Sequence, residues 1–325
     1  MNIAYSSSDY YFKPTLVSIF SLLKNSSAKH EIYLLSSKVS SENKTIFNDL
    51  VSSMGSKPHI LEIDDVLEKK AREFSFPIMR ENFSTYARLF LSEILTVDSV
   101  LLLDSDTLVV GEIQEIIKEI NNNSVMFASR DYVVSNKFSR HEDPELSMKS
   151  YFNMGVLYIN LENWREKNLT QIIRNSYDKK YQLKIADQTI VNKYLHKFIS
   201  EIDVKFNWYT YFRYNFDYEF YLSQNNGTQF LYKDDFINAK ENPVVIHYIG
   251  TWFERPWFRR NICKTEDLYR SYWLKIFKKS DLYRVPSINI RGMYDYLSLF
   301  IFRFFGIKAY YNFRYKFIQM IKSFL

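Results

Sequence analysis

Leu101-Leu102-Leu103-Asp104-Ser105-Asp106 decides how this chain is read. With Ser99 and Val100 the leucines form an unbroken run of strand length, the pattern of a strand covered on both faces. Val125–Ala128 and Gly155–Ile159 repeat it. Working outward, Ile3–Tyr5, Glu31–Ser36 and His59–Ile63 also read as strands. Helical stretches separate them: Pro14–Leu23, Ser40–Met54 capped by Ser40 or Ser41, Val66–Phe74 and Ser84–Leu95. This β/α alternation predicts an α/β fold with a mostly parallel sheet covered by helices.

Composition narrows the chemistry. The 325 residues hold seven glycines, and neither GxGxxG nor GxxxxGK[ST] occurs, which argues against a dinucleotide or P-loop phosphate cradle. The single cysteine, Cys263, excludes an internal disulfide and a CxxC metal knuckle. An aromatic content of 18% argues against disorder. Charge divides sharply along the chain. From Arg259 onward 14 Lys/Arg face four acids, a net of +10, whereas the first 258 residues carry 29 basic and 33 acidic residues, a net of −4. Two regions are predicted, 1–258 and a basic aromatic tail, 259–325, with an anionic partner. The N-terminus lacks a signal-peptide pattern, and the apolar run Leu297–Ile307 is interrupted by Arg303, well short of the ~20 residues a spanning helix needs. A cytoplasmic protein is expected.

Asp104 and Asp106 sit where open α/β sheets bind ligands, at the carboxyl end of a strand. If the chain stays extended, both carboxylates point to one side, as a hard-oxygen site for Mn²⁺ or Mg²⁺. Read alone, the pair is equally a solvated polar turn. His247 ends the apolar run Val244–Ile246 and offers either a third ligand or a structural imidazole. Asn153, in Phe152-Asn153-Met154-Gly155, could present an amide to a sugar hydroxyl or belong to a turn. Asp187 and Gln188 read as a helix start. Arg88 is a surface side chain or an anion clamp.

The order of these elements is more specific than any one of them. An N-terminal strand with a Ser/Asp/Tyr loop leads to Ser84-Thr85-Tyr86-Ala87-Arg88-Leu89 and the Leu-rich DxD. Phe-Asn-x-Gly-Val-Leu-x-Ile-Asn-Leu with Trp164, then Asp-Gln, then His-Tyr-x-Gly follow. The sequence over residues 1–258 resembles glycosyltransferase family 8, which includes glycogenin and bacterial lipopolysaccharide galactosyltransferases. The resemblance implies a GT-A fold, a Rossmann-like nucleotide-sugar domain, with Asp104, Asp106 and His247 as Mn²⁺ ligands. It implies a UDP-sugar donor held by Ser6, Ser8, Asp9, Tyr11, Arg88, Ser105, Asn153, Gly155 and Gly250. Tyr11 would stack on the uracil, Arg88 would clamp the donor, and Gly250 would lie under the diphosphate. Asp131, Asp187 and Gln188 take the positions nearest the transferred sugar. The family's late loop, His-x-x-Gly-x-x-Lys-Pro-Trp, is longer here by two residues, and Arg255 replaces its lysine. Arginine serves a phosphate as a fork rather than a point charge.

The resemblance further implies retention of anomeric configuration. Gln188 is a poor nucleophile, which favours a front-face route over a covalent intermediate on a carboxylate. The expected reaction moves a hexose, from UDP-glucose or UDP-galactose, to a cell-surface saccharide, glycolipid or glycoprotein. Loops Val133–Ser150 and Asn207–Asn226 are the expected acceptor pocket. Tyr294–Leu325 resembles an interfacial helix that would hold the protein on the inner face of an anionic membrane. Competing readings are a non-catalytic sugar-nucleotide-binding protein and a nucleic-acid binder using the tail. The tail lacks a nucleic-acid fold signature, so no nucleic-acid partner is expected.

Overall fold

A computed structural model describes residues 1–76, 83–121, 124–131, 151–177, 186–209, 218–224, 231–261, 263, 265–284, 295–306, 309–310 and 313. The chain divides into two compact units, Met1–Trp208 with Tyr218–His247, and Tyr209–Asp217 with Tyr248–Leu325.

The first unit is an α/β layer. Its strands are β1 (Asn2–Ser7), β2 (Glu31–Ser36), β3 (Lys57–Glu62), β4 (Ser99–Leu103), β5 (Thr107–Val109), β6 (Met126–Arg130), β7 (Phe152–Asn160) and β8 (Ile199–Glu201). Seven of them form one sheet in the order β3-β2-β1-β4-β7-β6-β8. The sheet is mostly parallel, as its β/α alternation predicts. The exception is β7, which runs antiparallel to both β4 and β6. That reversal matters for the site. Leu103, the last residue of β4, lies opposite Val156, so the start of β7 meets the carboxyl end of β4. The leucines of β4 are almost wholly buried, as an unbroken apolar run requires.

Helices α1 (Phe12–Asn25), α2 (Ser41–Ser53) and α3 (Asp64–Phe74) connect the first strands. Ser40 caps α2, its side chain accepting from the Asn43 amide. Helix α1 opens two residues before Pro14, which fits because proline is tolerated in a helix's first turn. The stretch expected as one helix, Ser84–Leu95, is instead a 3₁₀ turn, Ser84–Leu89, followed by α4 (Leu91–Ile94). Downstream lie α5 (Leu161–Glu166), α6 (Leu169–Ser176) and α7 (Ala186–Tyr194).

One face of α1 props the DxD segment through hydroxyls three residues apart. Thr15 Oγ1 bonds Ser105 Oγ at 2.9 Å, Ser18 Oγ meets Thr107 Oγ1 at 2.8 Å, and Ser21 Oγ accepts from the Val109 amide at 2.9 Å. These side chains are fully buried, so each needs such a partner.

The second unit is held by aromatic packing. Tyr248 meets Trp257 and Tyr269 edge-on at 6.4 and 5.3 Å between centroids. Trp273, in the helix Glu266–Ile276, continues the stack 6.3 Å from Tyr269. Residues 295–306 are helical and leave Leu297, Phe300, Phe304 and Phe305 exposed. Among the described residues no helix is long and apolar enough to cross a membrane.

Candidate active site

The two acids of the DxD converge by a turn, not by the extended chain that the i, i+2 spacing suggests. Thr107 closes that turn, its amide (3.2 Å) and hydroxyl (2.8 Å) both donating to the Asp104 carbonyl. A short strand, Val245–His247, then pairs antiparallel with β5 and sets His247 opposite Thr107. His247 Nε2 thereby lies 3.1 Å from Asp106 Oδ1 and 3.9 Å from Asp104 Oδ2. One ligand atom from each of Asp104, Asp106 and His247 lies within 4.8 Å of the others.

Close approach depends on Gly155. The Asp104 amide bonds the Gly155 carbonyl at 2.8 Å, and a Cβ at Gly155 would stand 2.2 Å from His247 Cε1. Any side chain there would displace the ring.

Charge is concentrated around the cluster. Burial pushes the Asp104 carboxyl above its ordinary range, against the pull of Arg88. Burial works against a charged His247 ring, but the Asp106 carboxylate, aided by Asp104, outweighs it and raises the pKa. Two hard carboxylates and one imidazole make a donor set suited to a small divalent cation such as Mn²⁺. The residues fit such an ion.

Arg88 is neither at the surface nor simply aimed at a ligand. It is largely buried and forks inside the site, hydrogen-bonding Asp104 Oδ1 at 3.0 Å and the Met154 carbonyl at 2.5 Å, with Asp187 Oδ2 in an ion pair at 2.5 Å. Thr85 donates to the other Asp187 oxygen at 2.8 Å. The side chain of Asp187 is thus bound across to the preceding 3₁₀ turn, beyond the helix-start role its position in α7 suggests.

Beside this lies a buried network of amides. Asn153 is in β7, not in a turn. Its Nδ2 donates to Asp131 Oδ2 at 3.2 Å and to Gln188 Oε1 at 3.3 Å. Gln188 Nε2 reaches the same Asp131 oxygen at 3.0 Å. The structure therefore brings Arg88, Asp104, Asp106, Asp131, Asn153, Gly155, Asp187, Gln188 and His247 into one contiguous site.

The remaining sequence candidates have other local roles. Ser105 Oγ donates to the Ser6 carbonyl at 3.0 Å, fixing the DxD turn against β1. The Ser8 carbonyl accepts from the Tyr11 amide at 3.0 Å, at the start of α1. Asp9 accepts from the Ser40 amide and Asn43 Nδ2, both at 2.8 Å, tying the loop to α2. Tyr11 packs edge-on to Tyr10. Gly250 and Arg255 belong to the second unit. Gly250 has φ +132°, and a Cβ there would meet Glu254 Oε2 at 2.3 Å. The Arg255 guanidinium lies 5.3 Å from the Trp257 ring centroid. The expected acceptor loop Val133–Ser150 lies outside the described residues, as does half of Asn207–Asn226.

Two residues escape sequence reading. Asn207, nominally the start of that loop, is fully buried and bonds both His247 and Asn153. Asn192 is equally buried and pairs with the Phe152 backbone and the Gln188 carbonyl. The available signal is weak: a polar Asn207 between Phe206 and Trp208, and an Asn192 four residues after Gln188.

A sheet of this order with an Asp-Asp-His cluster at the end of its fourth strand defines a GT-A-type glycosyltransferase. The chain belongs to glycosyltransferase family 8, whose family model matches residues 2–261. A Haemophilus influenzae protein, whose name assigns it provisionally to the glycosyltransferases, is 35% identical over 210 residues, covering 64% of this chain and 63% of that one. The lipopolysaccharide 1,2-glucosyltransferase of Escherichia coli is 29% identical over 192 residues, 57% and 52% of the two chains. The chain thus spans roughly half to two-thirds of these curated relatives. The fold also matches the crystal structure of galactosyltransferase LgtC with donor and acceptor sugar analogs. There the TM-score is 0.67 at 23% identity, covering 85% of this chain and 96% of the other.

Proposed function

We propose that this transferase is a retaining hexosyltransferase that takes a hexose from UDP-glucose or UDP-galactose to a saccharide acceptor on a cell-surface polysaccharide, glycolipid or glycoprotein. The observation that carries this reading is the juxtaposition of the Asp104/Asp106/His247 cluster with the buried Asp131 carboxylate and the Asn153 and Gln188 amides that bond it. Asp104, Asp106 and His247 would hold a divalent cation, Mn²⁺ or Mg²⁺. Bound there, it supplies Lewis-acid stabilisation of the negative charge growing on the departing diphosphate.

The chain's own groups do the rest. Arg88 neutralises part of the acid cluster and holds Asp104 and Asp187 in fixed orientation. Ser6, Ser8, Asp9 and Tyr11 would meet the donor's base, with Tyr11 stacking on the uracil. Asn153, Asp187 and Gln188 hold the sugar hydroxyls. The two amide donors on Asp131 keep its carboxylate fixed, so it positions rather than attacks. With Gln188 a poor nucleophile, the acceptor hydroxyl enters on the face the leaving group vacates.

The test is to supply the protein with a panel of nucleotide sugars and Mn²⁺, with and without EDTA, and to measure the nucleotide released. Nucleoside diphosphate, lost with EDTA, supports the reading. Release of nucleoside monophosphate with pyrophosphate, or no release, overturns it.

We also propose that Tyr294–Leu325 places the enzyme peripherally on the inner face of an anionic membrane. Leu297, Phe300 and Phe304 expose one helical stripe, with Arg303 also exposed, a pattern suited to an interfacial helix. Flotation on anionic liposomes should be lost on deletion of Tyr294–Leu325, and attraction should weaken with salt. Equal flotation of both forms would sink this part.

A further inference from the structure

A metal-binding histidine must present a lone pair, and which ring nitrogen does so is set by what the other nitrogen meets. His247 Nε2 faces the two acids, while Nδ1 lies 2.9 Å from Asn207 Oδ1. Carboxamide orientations are assigned from their networks, so the question is what fixes the polarity of Asn207.

The network has one end that cannot flip. The Gly155 backbone N–H is a donor only, and it lies 2.8 Å from Asn153 Oδ1. That contact makes the Asn153 atom an oxygen. Asn207 approaches the same oxygen at 2.9 Å and must do so with its NH₂. Its carbonyl oxygen is then the atom that faces His247 Nδ1, and Nδ1 must carry the proton. A second fixed donor agrees: the Met154 amide bonds Gln188 Oε1 at 3.2 Å, which turns the Gln188 NH₂ toward Asp131 and leaves the Asn153 NH₂ facing acceptors. Asn207 is fully buried and His247 nearly so, so neither can exchange these partners for water.

We infer that Asn207 is a positioning residue that locks His247 in its Nδ1–H tautomer, with the polarity dictated by the Gly155 amide through Asn153. Without it, the neutral ring would place its proton on Nε2 and donate to Asp106, masking the lone pair. This rests on the reading of Asp104, Asp106 and His247 as a cation site.

The test uses the full chain labelled with ¹⁵N-histidine, free of metal, at alkaline pH where the ring is neutral. His247 is identified by its loss in His247→Asn, and the other four histidines of the sequence report folding. In the wild type the pyridine-type nitrogen should be Nε2. In Asn207→Leu it should move to Nδ1, and Mn²⁺ affinity by calorimetry should fall about ten- to a hundredfold. Asn207→Asp, which keeps an acceptor for Nδ1–H, should retain the wild-type tautomer. A pyridine-type Nδ1 in the wild type overturns the inference, even if Asn207→Leu does not fold. So does an Asn207→Leu variant that melts earlier but keeps tautomer and affinity. Wild-type protein that binds no Mn²⁺, yet shows the tautomer switch, would instead overturn the cation-site reading alone.

Discussion

The acid cluster and the amide network lie side by side in the first unit and are built on opposite principles. Asp104, Asp106 and His247 crowd charge into 4.8 Å, with Arg88 paired to Asp104 and His247 to Asp106. Asn153, Gln188, Asn192 and Asn207 are neutral and buried, and each is paired with backbone groups or with one another. Charged groups assembled like this serve a ligand at some cost to the fold. Satisfied buried amides hold the fold and set geometry. Mutations should therefore separate activity from stability in opposite senses across a boundary one residue wide.

The largest expected effect is on the charged side. Asp106→Ala should reduce metal-dependent transfer below about a tenth of wild type, a barrier increase of at least ~1.4 kcal/mol. The melting temperature should stay near that of wild type, because relief of the repulsion with Asp104 offsets the lost contact with His247. Transfer above that level, or an unfolded variant, would erase the distinction between the two regions.

Next comes Gln188→Ala, at the seam between the two regions. Its amide orients Asp131 and sits beside Asn153. Turnover should fall about tenfold or more while donor affinity changes little, since the role is realised mainly in the transition state. Lost donor binding with normal turnover at saturation would make Gln188 a ground-state contact.

A smaller effect is expected deep on the amide side. Asn192 accepts from the Phe152 amide at 2.6 Å and donates to the Phe152 and Gln188 carbonyls, both at 2.8 Å. Asn192→Ala strands buried backbone groups and should cost about 1–3 kcal/mol in urea unfolding. An unchanged urea midpoint would show that water or a rearranged side chain takes over.

The same contrast explains what the sequence makes legible. Asp104 and Asp106 stand out because a leucine run delivers them to a strand end, and two charges there need a reason. His247 follows from another apolar run. Asn207 and Asn192 carry no such signature, since an asparagine between Phe206 and Trp208 reads as part of a loop and one between Val191 and Lys193 has no charged or apolar pattern to mark it. Register was equally hidden. Nothing in Phe152–Asn160 announces that β7 reverses direction, yet that reversal brings Asn153 beside Asp104. The break of Ser84–Leu95 into a 3₁₀ turn and a short helix was likewise masked, because its apolar spacing suits a continuous helix.

The smallest effect sets the charge around one buried histidine against that around another. His30 and His247 are 3% and 2% exposed, yet their pKa values move in opposite directions. His247 is raised because acids surround it. His30 is lowered from 6.5 to about 4, first by burial and then by the N-terminal ammonium, with Lys29 adding to them and Glu112 too weak a counterweight. Its Nε2 meets Ser26 Oγ at 2.7 Å, and among the described residues Nδ1 has no hydrogen-bond partner. Between pH 4 and 6.5 the unfolded chain therefore binds a proton at His30 that the folded chain does not. Stability from the neutral buried ring is complete above pH 6.5 and declines as the pH falls toward 4. Urea midpoints measured over this range should fall more steeply for wild type than for His30→Asn, with the two slopes converging above neutrality. Parallel curves would mean that His30 charges as readily folded as unfolded, and that burial with too little acid beside the ring is not what separates the two.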